Sequence, residues 1–436
     1  MAHDSGLSDI GYAESDIMVG LLIAAVRDLD PPAGGAEMSL ATLLNGVCEP
    51  GPLPEADVLF IPSRDTPHTD PALLEQAWRV TIFQSDARGD ATALTSNSEL
   101  ERKVINLEIE DRWSGLAWRL RGKSGQPNSL FQRQHLKKSN KKFAKLLKEK
   151  IAATKAEAKR SGLPVIGITQ LHWSAGAAEV FKELNIPYLV FVRDELQFIQ
   201  SDLYRSSLEG AAAVCCAGEG LGQQVANTFN VKAIKNVRLP VDFASRFGTI
   251  EEIETTRASG LSNRIKNNDI DIPRIAIVGV TPEKGYEFYQ GLLPHLANCW
   301  PEARVDVYGG GAYAEELGEF DNTTWHGHTP VSEVFSRCDV HLLTVASTGS
   351  WGRVINEAGL FGVPSVSISI GSQPEAVGEG GIIVDQVADL DAWVHALRTT
   401  YTKREQLGEL ARKHCGIVDH RRSIAAFRSV IKEFSS

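Results

Sequence analysis

The sequence predicts an α/β protein with two doubly wound parallel-sheet domains that face each other across a cleft. A chain of 436 residues is too long for one ordinary hydrophobic core. Short apolar runs alternate with helical patterns in both halves, which is typical of parallel strands covered by helices. A polar stretch without a strand pattern, 246–272, separates the halves and is predicted to be the linker.

The predicted strands divide between a first domain, 1–245, and a second domain, 273–420. Apolar runs that fit buried strands occur in the first domain at 17–25, 57–61, 79–83, 164–168, 188–192 and 211–215. In the second domain they occur at 274–278, 304–308, 339–344, 364–369 and 381–384. A segment from about 86 to 160 interrupts the first domain, and its pattern predicts a helical insertion.

Composition excludes several classes of protein. A net charge of −10 argues against nucleic acid as a partner. The six cysteines have neither CxxC nor framework spacing, so they indicate buried thiols in a reducing compartment. The apolar run 17–26 is too short to cross a bilayer and follows acidic residues. These features favour a cytoplasmic protein.

The end of the insertion is strongly basic. Between 137 and 160, ten Lys and Arg residues stand against two Glu, so this stretch carries +8 and the remainder of the chain −18. Phe143, Leu147 and Ile151 form an apolar stripe with lysines on both sides. Two interpretations remain open. The helix either lies on an anionic membrane surface or an acidic partner, or it packs the stripe on the protein's own core.

The stretch 344–385 is the most informative part of the chain. It has the pattern strand, glycine turn, helix, strand, glycine turn, strand. In parallel sheets such turns lie at the carboxyl ends of the strands, where ligands bind. The helix after Ser350 would point its positive end at an anion, and Glu357 lies about two turns along it. A carboxylate there could bind a sugar diol, although a buried crossover with a surface glutamate explains the same pattern.

Two further segments fit the binding of an anion. Gly34 and Gly35 follow the first predicted strand and precede a helix, so the backbone could approach a phosphate closely. Lys284 follows the first strand of the second domain, where an ammonium group could neutralise a diphosphate. Each signal is weak alone, because many α/β turns contain glycines and most surfaces carry lysines.

Other motifs give weaker hypotheses. The G-x-G-x-x-A spacing that begins at Gly309 lacks the acidic residue that a dinucleotide site needs at the end of the next strand. His326 and His328 make a poor metal site without Cys or Glu nearby. Ser174 follows a strand and precedes a helix, as in a nucleophile elbow, but position 172 is His where a small residue is needed. A serine hydrolase therefore remains a third hypothesis.

Eight phrases occur in an informative order along the chain. They are GGAE at 34–37, VRD at 192–194, LPVD at 239–242, VG and EKG within 278–285, YGGG at 308–311, HGH at 326–328, GSWGRVINEA at 349–358 and GSQPE at 371–375. In this order they resemble the retaining glycosyltransferases of the GT-B fold, of the type called glycosyltransferase family 4. The resemblance covers most of the chain outside the acidic N-terminal residues and the basic insertion.

The resemblance implies transfer of a hexose from a UDP- or GDP-linked sugar to a hydroxyl of a carbohydrate, lipid-linked or small-molecule acceptor, without a metal or other cofactor. It implies catalytic roles for Lys284, Glu357 and Arg193. It assigns donor binding to Gly34, Gly35, Gly279, Lys284, Trp351, Gly352, Arg353, Val354, Glu357 and Glu375, and base binding to Gly309, His328 and Thr329. It also implies that a last helix within 421–436 crosses back to the first domain.

Two positions depart from the family pattern. The family's paired glutamates usually divide the donor, but Gly349 stands where the first glutamate is expected, so only Glu357 carries over. Val280 stands where an arginine commonly follows the glycine of the first turn. The second hypothesis is therefore a catalytically degenerate scaffold subunit of a glycan-assembly complex.

Overall fold

The fold is two parallel sheets, each covered by helices on both faces, as the sequence predicted. The computed structural model describes residues 18–27, 29, 35–48, 77–85, 102–107, 130–193, 202–282, 284–345 and 351–435. The predicted strand at 57–61, Gly34, Asp194 and Gly349 lie outside these residues.

Among the described residues, the first sheet has seven parallel strands in the order β3-β2-β1-β4-β5-β6-β7. They are β1 (Met18–Arg27), β2 (Ala77–Ser85), β3 (Arg102–Leu107), β4 (Val165–Gln170), β5 (Tyr188–Val192), β6 (Ala213–Cys216) and β7 (Ile234–Asn236). Its helices are α1 (Gly35–Cys48), α2 (Leu130–Arg160), α3 (Ser174–Glu183), α4 (Asp202–Gly210) and α5 (Glu219–Thr228). The central strands β1, β5 and β6 are almost wholly apolar because both of their faces are covered.

In the described part of the second domain, the sheet has six parallel strands in the order β10-β9-β8-β11-β12-β13. They are β8 (Arg274–Val278), β9 (Arg304–Tyr308), β10 (Thr323–Trp325), β11 (Val340–Leu342), β12 (Ser365–Ile368) and β13 (Gly381–Val384). The helices after the first sheet are α6 (Phe243–Phe247), α7 (Ile250–Lys266), α8 (Tyr286–Cys299), α9 (Ala312–Leu317), α10 (Val331–Arg337), α11 (Arg353–Leu360), α12 (Gln373–Val377), α13 (Leu390–Thr402), α14 (Arg404–Cys415) and α15 (His420–Glu433).

Strand β3 corrects the expectation that the segment 86–160 is helical throughout. It pairs with β2 at the edge of the first sheet and buries only Val104 and Leu107. The edge strands β7 and β10 were also not predicted, and each has three residues. Edge strands face solvent on more sides than central strands, so their sequences keep polar residues and lack a continuous apolar run.

The basic helix α2 buries its apolar stripe in the first domain. Phe143, Leu147 and Ile151 are fully buried, and the Phe143 ring lies 4.9 Å from that of Trp173. The core-packing interpretation is therefore correct, and the stripe is not available to a membrane. The lysines remain on the outer face, where Lys148 pairs with Glu183 of α3. No helix among the described residues is both long and apolar enough to span a bilayer.

The predicted linker is largely a helix of the second domain. Helix α7 begins with a capping box in which Thr249 and Glu252 each satisfy the other's backbone N–H. The Arg257 side chain of α7 donates to the carbonyls of Phe335 and Cys338 at the end of α10. Residues 250–266, which lie inside the predicted linker, therefore pack on the second domain.

In the described part of the chain, two segments cross between the domains, one at Val241 and one at 418–420. These two crossings are hydrogen-bonded to each other. The Val241 N–H donates to the Val418 carbonyl at 2.7 Å, and the His420 N–H donates to the Val241 carbonyl at 3.0 Å. Helix α15 then packs on the first domain. There Arg428 donates to the Gly46 carbonyl at 2.8 Å, and the Phe427 ring lies 5.5 Å from that of Phe191.

A buried ion pair joins α7 to the second sheet and gives a stability prediction. The Arg264 and Asp339 side chains are 4% and 6% exposed, and Arg264 Nη1 lies 3.0 Å from both carboxylate oxygens. Arg264→Met leaves this carboxylate short of a partner, so we expect it to lower the free energy of unfolding by about 3–5 kcal/mol. Urea denaturation measures the change. The exposed Lys266 on the same helix is the control, and Lys266→Met should change stability by less than about 0.5 kcal/mol. Equal effects of the two variants would contradict the prediction.

Candidate active site

The turns after β8 and β9 meet at the carboxyl edge of the second sheet. Gly279 and Gly309 have φ angles of 71° and 119°. The Gly279 N–H donates to the Tyr308 carbonyl at 2.8 Å, and a Cβ added to Gly309 would lie 3.2 Å from Gly279 Cα. Glycine is required at both positions by backbone conformation and by close approach. These turns expose main-chain atoms at this edge of the sheet, and side chains from other elements lie near them.

Lys284 lies over this edge. A Cβ on Gly279 would be 3.2 Å from the Lys284 Nζ atom. Burial and the nearby Arg353 guanidinium lower the pKa of Lys284, whereas Glu357 raises it. The Lys284 side chain is exposed overall, but its ammonium group lies close to both residues and lacks full compensation by negative charge.

Glu357 occupies the centre of the group. It lies on α11, is buried, and accepts a hydrogen bond from Nη1 of Arg246. Arg246 lies on α6, the short helix directly after the first crossing, which begins at Asp242 because that side chain accepts from the Ser245 N–H at 2.9 Å. Burial lowers the pKa of Arg353, Glu357 raises it and Arg246 lowers it further.

Lys284, Arg353, Arg246 and Glu357 form what we call the charge cluster. Three cations surround one carboxylate, which leaves about two positive charges without a partner inside the cluster. Repulsion between like charges that interact around a buried carboxylate is costly unless an anion joins them. The charge cluster therefore fits a ligand group with about two negative charges.

Helix α11 adds main-chain donors to this site. Its N-cap, Gly352, has a φ of 70° and no side chain that could cap the first N–H groups. A Cβ there would lie 2.9 Å from Leu343 and 3.1 Å from the Gln373 amide, so glycine is required. The first turn, with Arg353 and Val354, therefore has N–H groups and the positive end of the helix dipole available to bind an anion.

Three residues that the resemblance assigned to the site have other partners. The Trp351 indole is buried and donates to Asn356 Oδ1 at 2.7 Å, so its side chain cannot contact a donor. Arg193 is buried at the end of β5, where it donates to the Val237 carbonyl and its guanidinium lies 4.7 Å from the Phe191 ring centroid. The third residue, Glu375, contacts the first domain.

Glu375 forms an interdomain clasp with Arg238 and the first turn of α5. Its carboxylate accepts from Arg238 Nη2 and from the Glu219 N–H, both at 2.7 Å. A Cβ on Gly218 would lie 2.6 Å from Glu375 Oε2, so the helix start and the carboxylate are in close contact. The expected role of Glu375 in orienting the sugar or diphosphate is therefore not supported, because both carboxylate oxygens already bind the first domain.

The clasp gives a second prediction. Glu375→Ala removes hydrogen bonds to a guanidinium and a helix N-terminus, each worth about 1.5–3 kcal/mol. We expect the closed arrangement of the domains to lose population, with a larger radius of gyration by small-angle X-ray scattering. Glu379→Ala, four residues away and exposed, is the control and should scatter as the wild type does. An unchanged radius of gyration in Glu375→Ala would refute the clasp.

The residues predicted to bind the base lie on the loops after β9 and β10. The Gly309 N–H donates to the Gly327 carbonyl at 2.7 Å, while His328 is exposed and Thr329 is half-buried. His326 does not act with His328, because its Nε2 lies 2.7 Å from Asp306 Oδ1 and its ring stacks on Tyr308. No contact between described residues joins these histidines in a metal site.

The serine hydrolase hypothesis is contradicted. Ser174 is the first residue of α3 and is fully buried. Its hydroxyl donates to the Leu171 carbonyl at 2.8 Å and lies 2.9 Å from the Ser207 hydroxyl. A nucleophile must reach its substrate, and this hydroxyl is enclosed by the core.

Sequence reasoning did not identify Arg246 and Arg238. Arg246 falls in the stretch interpreted as a linker, although Asp242 three residues before Ser245 is a typical N-cap signal for a helix. No local pattern marks Arg238, because its partner Glu375 is 137 positions away.

Comparison with known proteins gives a family match in the second domain and a shared fold for the chain. Residues 272–403 match the family model described as Glycosyl transferases group 1. No curated protein matches the chain significantly. Among solved structures, sucrose-phosphate synthase from Thermosynechococcus elongatus superposes with a TM-score of 0.62 at 16% identity, over 95% of this chain and 98% of the other.

Two further structures share the fold. The HepE protein of Anabaena, in complex with UDP and glucose, gives a TM-score of 0.57 at 14% identity, over 95% of this chain and 98% of the other. An alpha,alpha-trehalose-phosphate synthase (UDP-forming) from Burkholderia vietnamiensis gives 0.62 at 11% identity, over 95% and 100%. The second domain thus matches a glycosyltransferase family, and the whole chain has the same two-domain architecture as these proteins.

Proposed function

We propose that this GT-B glycosyltransferase moves a hexose from a nucleotide-diphosphate sugar to an acceptor hydroxyl and keeps the anomeric configuration. The observation that supports this best is the charge cluster, in which Lys284, Arg353 and Arg246 surround the buried Glu357. Its unmatched positive charge suits a diphosphate. The neighbouring carboxylate suits the hydroxyls of a ribose.

The parts of the donor have distinct partners in this proposal. The diphosphate lies among Lys284, Arg353 and the first turn of α11, and Glu357 accepts hydrogen bonds from the ribose. In the structure Arg246 binds Glu357. When the donor binds, its ribose replaces Arg246 as the partner of Glu357, and Arg246 turns toward the diphosphate. Arg246 thereby supplies the cation that the family usually places where this chain has the buried Val280.

Catalysis follows from charge stabilisation in this arrangement. As the bond between the sugar and the diphosphate breaks, negative charge builds on the phosphate oxygens. Fixed cations and main-chain N–H groups stabilise that charge without reorganising, which is commonly the largest catalytic contribution of a protein. The departing phosphate assists removal of the acceptor proton, as the resemblance implies, and no metal ion or other cofactor takes part.

The donor is tested by mixing the protein with UDP-glucose, UDP-galactose and GDP-mannose and following the release of nucleoside diphosphate. We expect one donor to be turned over in the presence of its acceptor. A thermal-shift screen identifies it, because a ligand at a hundred times its dissociation constant stabilises the fold by about 2.7 kcal/mol. The absence of any shift with all nucleotide sugars would refute the proposal.

The degenerate scaffold remains the second candidate, since Gly349 replaces the first glutamate of the family pair. Binding of a nucleotide sugar without release of nucleoside diphosphate, with every acceptor tried, would favour it. The charge cluster favours the enzyme, because a scaffold has no need of three cations near one buried carboxylate.

The acceptor is proposed to be a carbohydrate or a lipid-linked glycan. The lysines on the outer face of α2, within 137–160, would allow peripheral contact with an anionic membrane at the cytoplasmic side. Flotation with anionic liposomes tests this contact. Binding that persists unchanged after Lys141, Lys142 and Lys145 are changed to Gln would exclude these three lysines as its source.

A further inference from the structure

Three side chains of metal-binding type converge on the outer surface of the second domain. His295 and Cys299 lie one turn apart on α8, and Asp391 is the second residue of α13. Lys284 precedes the other end of α8, which is roughly 20 Å long. The group therefore lies away from the charge cluster, and the proposed transfer reaction makes no use of it.

The distances between the donor atoms fit a tetrahedral zinc ion. Cys299 Sγ lies 3.6 Å from His295 Nε2, and His295 Nε2 lies 2.8 Å from Asp391 Oδ1. All three donor atoms lie within 4.8 Å of one another. Zinc–sulfur and zinc–nitrogen bonds at a tetrahedral angle place sulfur and nitrogen about 3.6 Å apart. The nitrogen–oxygen distance must widen by about 0.5 Å, which Asp391 permits because its side chain is 85% exposed.

The donor set selects the type of ion. Thiolate and imidazole bind zinc and disfavour magnesium and calcium, which require oxygen ligands. Cys299 is the last residue of α8, so the negative end of that helix dipole favours a cation, while the nearby start of α13 and Arg398 oppose it. Of the six cysteines, which all lie in the described part of the chain, Cys299 alone is exposed.

We propose that His295, Cys299 and Asp391 bind a zinc ion, with water as the fourth ligand. The ion joins α8 to α13 and so stabilises the second domain independently of the nucleotide-sugar site. For this, Cys299 binds as the thiolate and releases its proton, and His295 carries its remaining proton on Nδ1 so that Nε2 is free to bind.

Cobalt provides the direct test, since it replaces zinc and makes thiolate ligation visible. Chelator-treated, tag-free, full-length protein is titrated with Co²⁺. We expect one equivalent to bind, with tetrahedral d–d bands and a thiolate-to-cobalt charge-transfer band, and zinc to displace it and raise the melting temperature. The Cys299→Ser variant should lose the charge-transfer band, and His295→Gln should bind at least about tenfold more weakly.

His395 on α13 gives the matched control, because it is an exposed histidine on one of the same two helices. His395→Gln should bind Co²⁺ as the wild type does. Circular dichroism shows whether each variant is folded. The proposal is overturned if the wild type shows no charge-transfer band or if Cys299→Ser keeps it. It is equally overturned if His295→Gln and His395→Gln have the same affinity, and His295 and Asp391 are then simply an ion pair.

Discussion

Replacing Lys284 with methionine is expected to lower the turnover number for sugar transfer by roughly two to three orders of magnitude. Methionine keeps most of the length and the apolar stem of the side chain but removes the ammonium group. That group lies over Gly279 beside Arg353 and Glu357, where charge would build on the departing diphosphate. Release of nucleoside diphosphate, measured over a range of donor concentrations, separates the turnover number from KM.

A surface lysine provides the comparison for this variant. Lys403, at the end of α13, is exposed, and Lys403→Met should leave both kinetic constants unchanged. Near-wild-type turnover by a folded Lys284→Met protein would remove the proposed leaving-group role. A rise in KM with an unchanged turnover number would show that Lys284 binds the ground state and the transition state equally.

Glu357→Gln is expected to change which ligands the cleft prefers. The wild type should bind a nucleoside diphosphate more tightly than pyrophosphate, because Glu357 accepts from the ribose. A neutral amide removes the carboxylate acceptor, worth about 1.5–3 kcal/mol for hydrogen bonds to a charged group. The variant should therefore lose roughly ten- to hundredfold of this preference. Its affinity for pyrophosphate should be kept or increased, since the charge cluster becomes more positive.

Isothermal titration calorimetry with UDP, GDP and pyrophosphate measures these ratios. Glu379→Gln, on the surface near the interdomain clasp, should keep the wild-type ratio. If Glu357→Gln also keeps it, the carboxylate does not bind the ribose. The stability of the variant should fall only modestly, because the partner Arg246 side chain is 41% exposed and water replaces part of the lost interaction.

The sequence predicted the central strands well and the sheet edges poorly. Strands such as β5 and β8 are short apolar runs because they are covered on both faces, and that pattern is local. Strand β3 begins with two basic residues and lies at an edge of the sheet. Its sequence pattern therefore did not distinguish a strand from a helix. The stripe of α2 was recognised, but only the fold showed that the core covers it.

The residues of the candidate site also differ in whether the sequence alone could predict them. Lys284 and Glu357 were predicted as site residues from two phrases of the family resemblance, and the structure places them close together. Arg246 lies 111 positions from Glu357 and joins it only because the first crossing places α6 beside α11. Glu375 was assigned to the donor on its phrase alone, and its true partner Arg238 belongs to the other domain. Pairings between domains leave no local periodicity from which they could be predicted.

The hydrogen bonds between the two crossings restrict how the cleft opens. Val241 is held by backbone hydrogen bonds to both Val418 and His420. The two chain segments that connect the domains are therefore fixed to each other at one point. Sliding of one lobe past the other would break these hydrogen bonds, whereas rotation about Val241 would keep them. A pair of distance labels spanning the mouth of the cleft would therefore follow rotation of the lobes about this point.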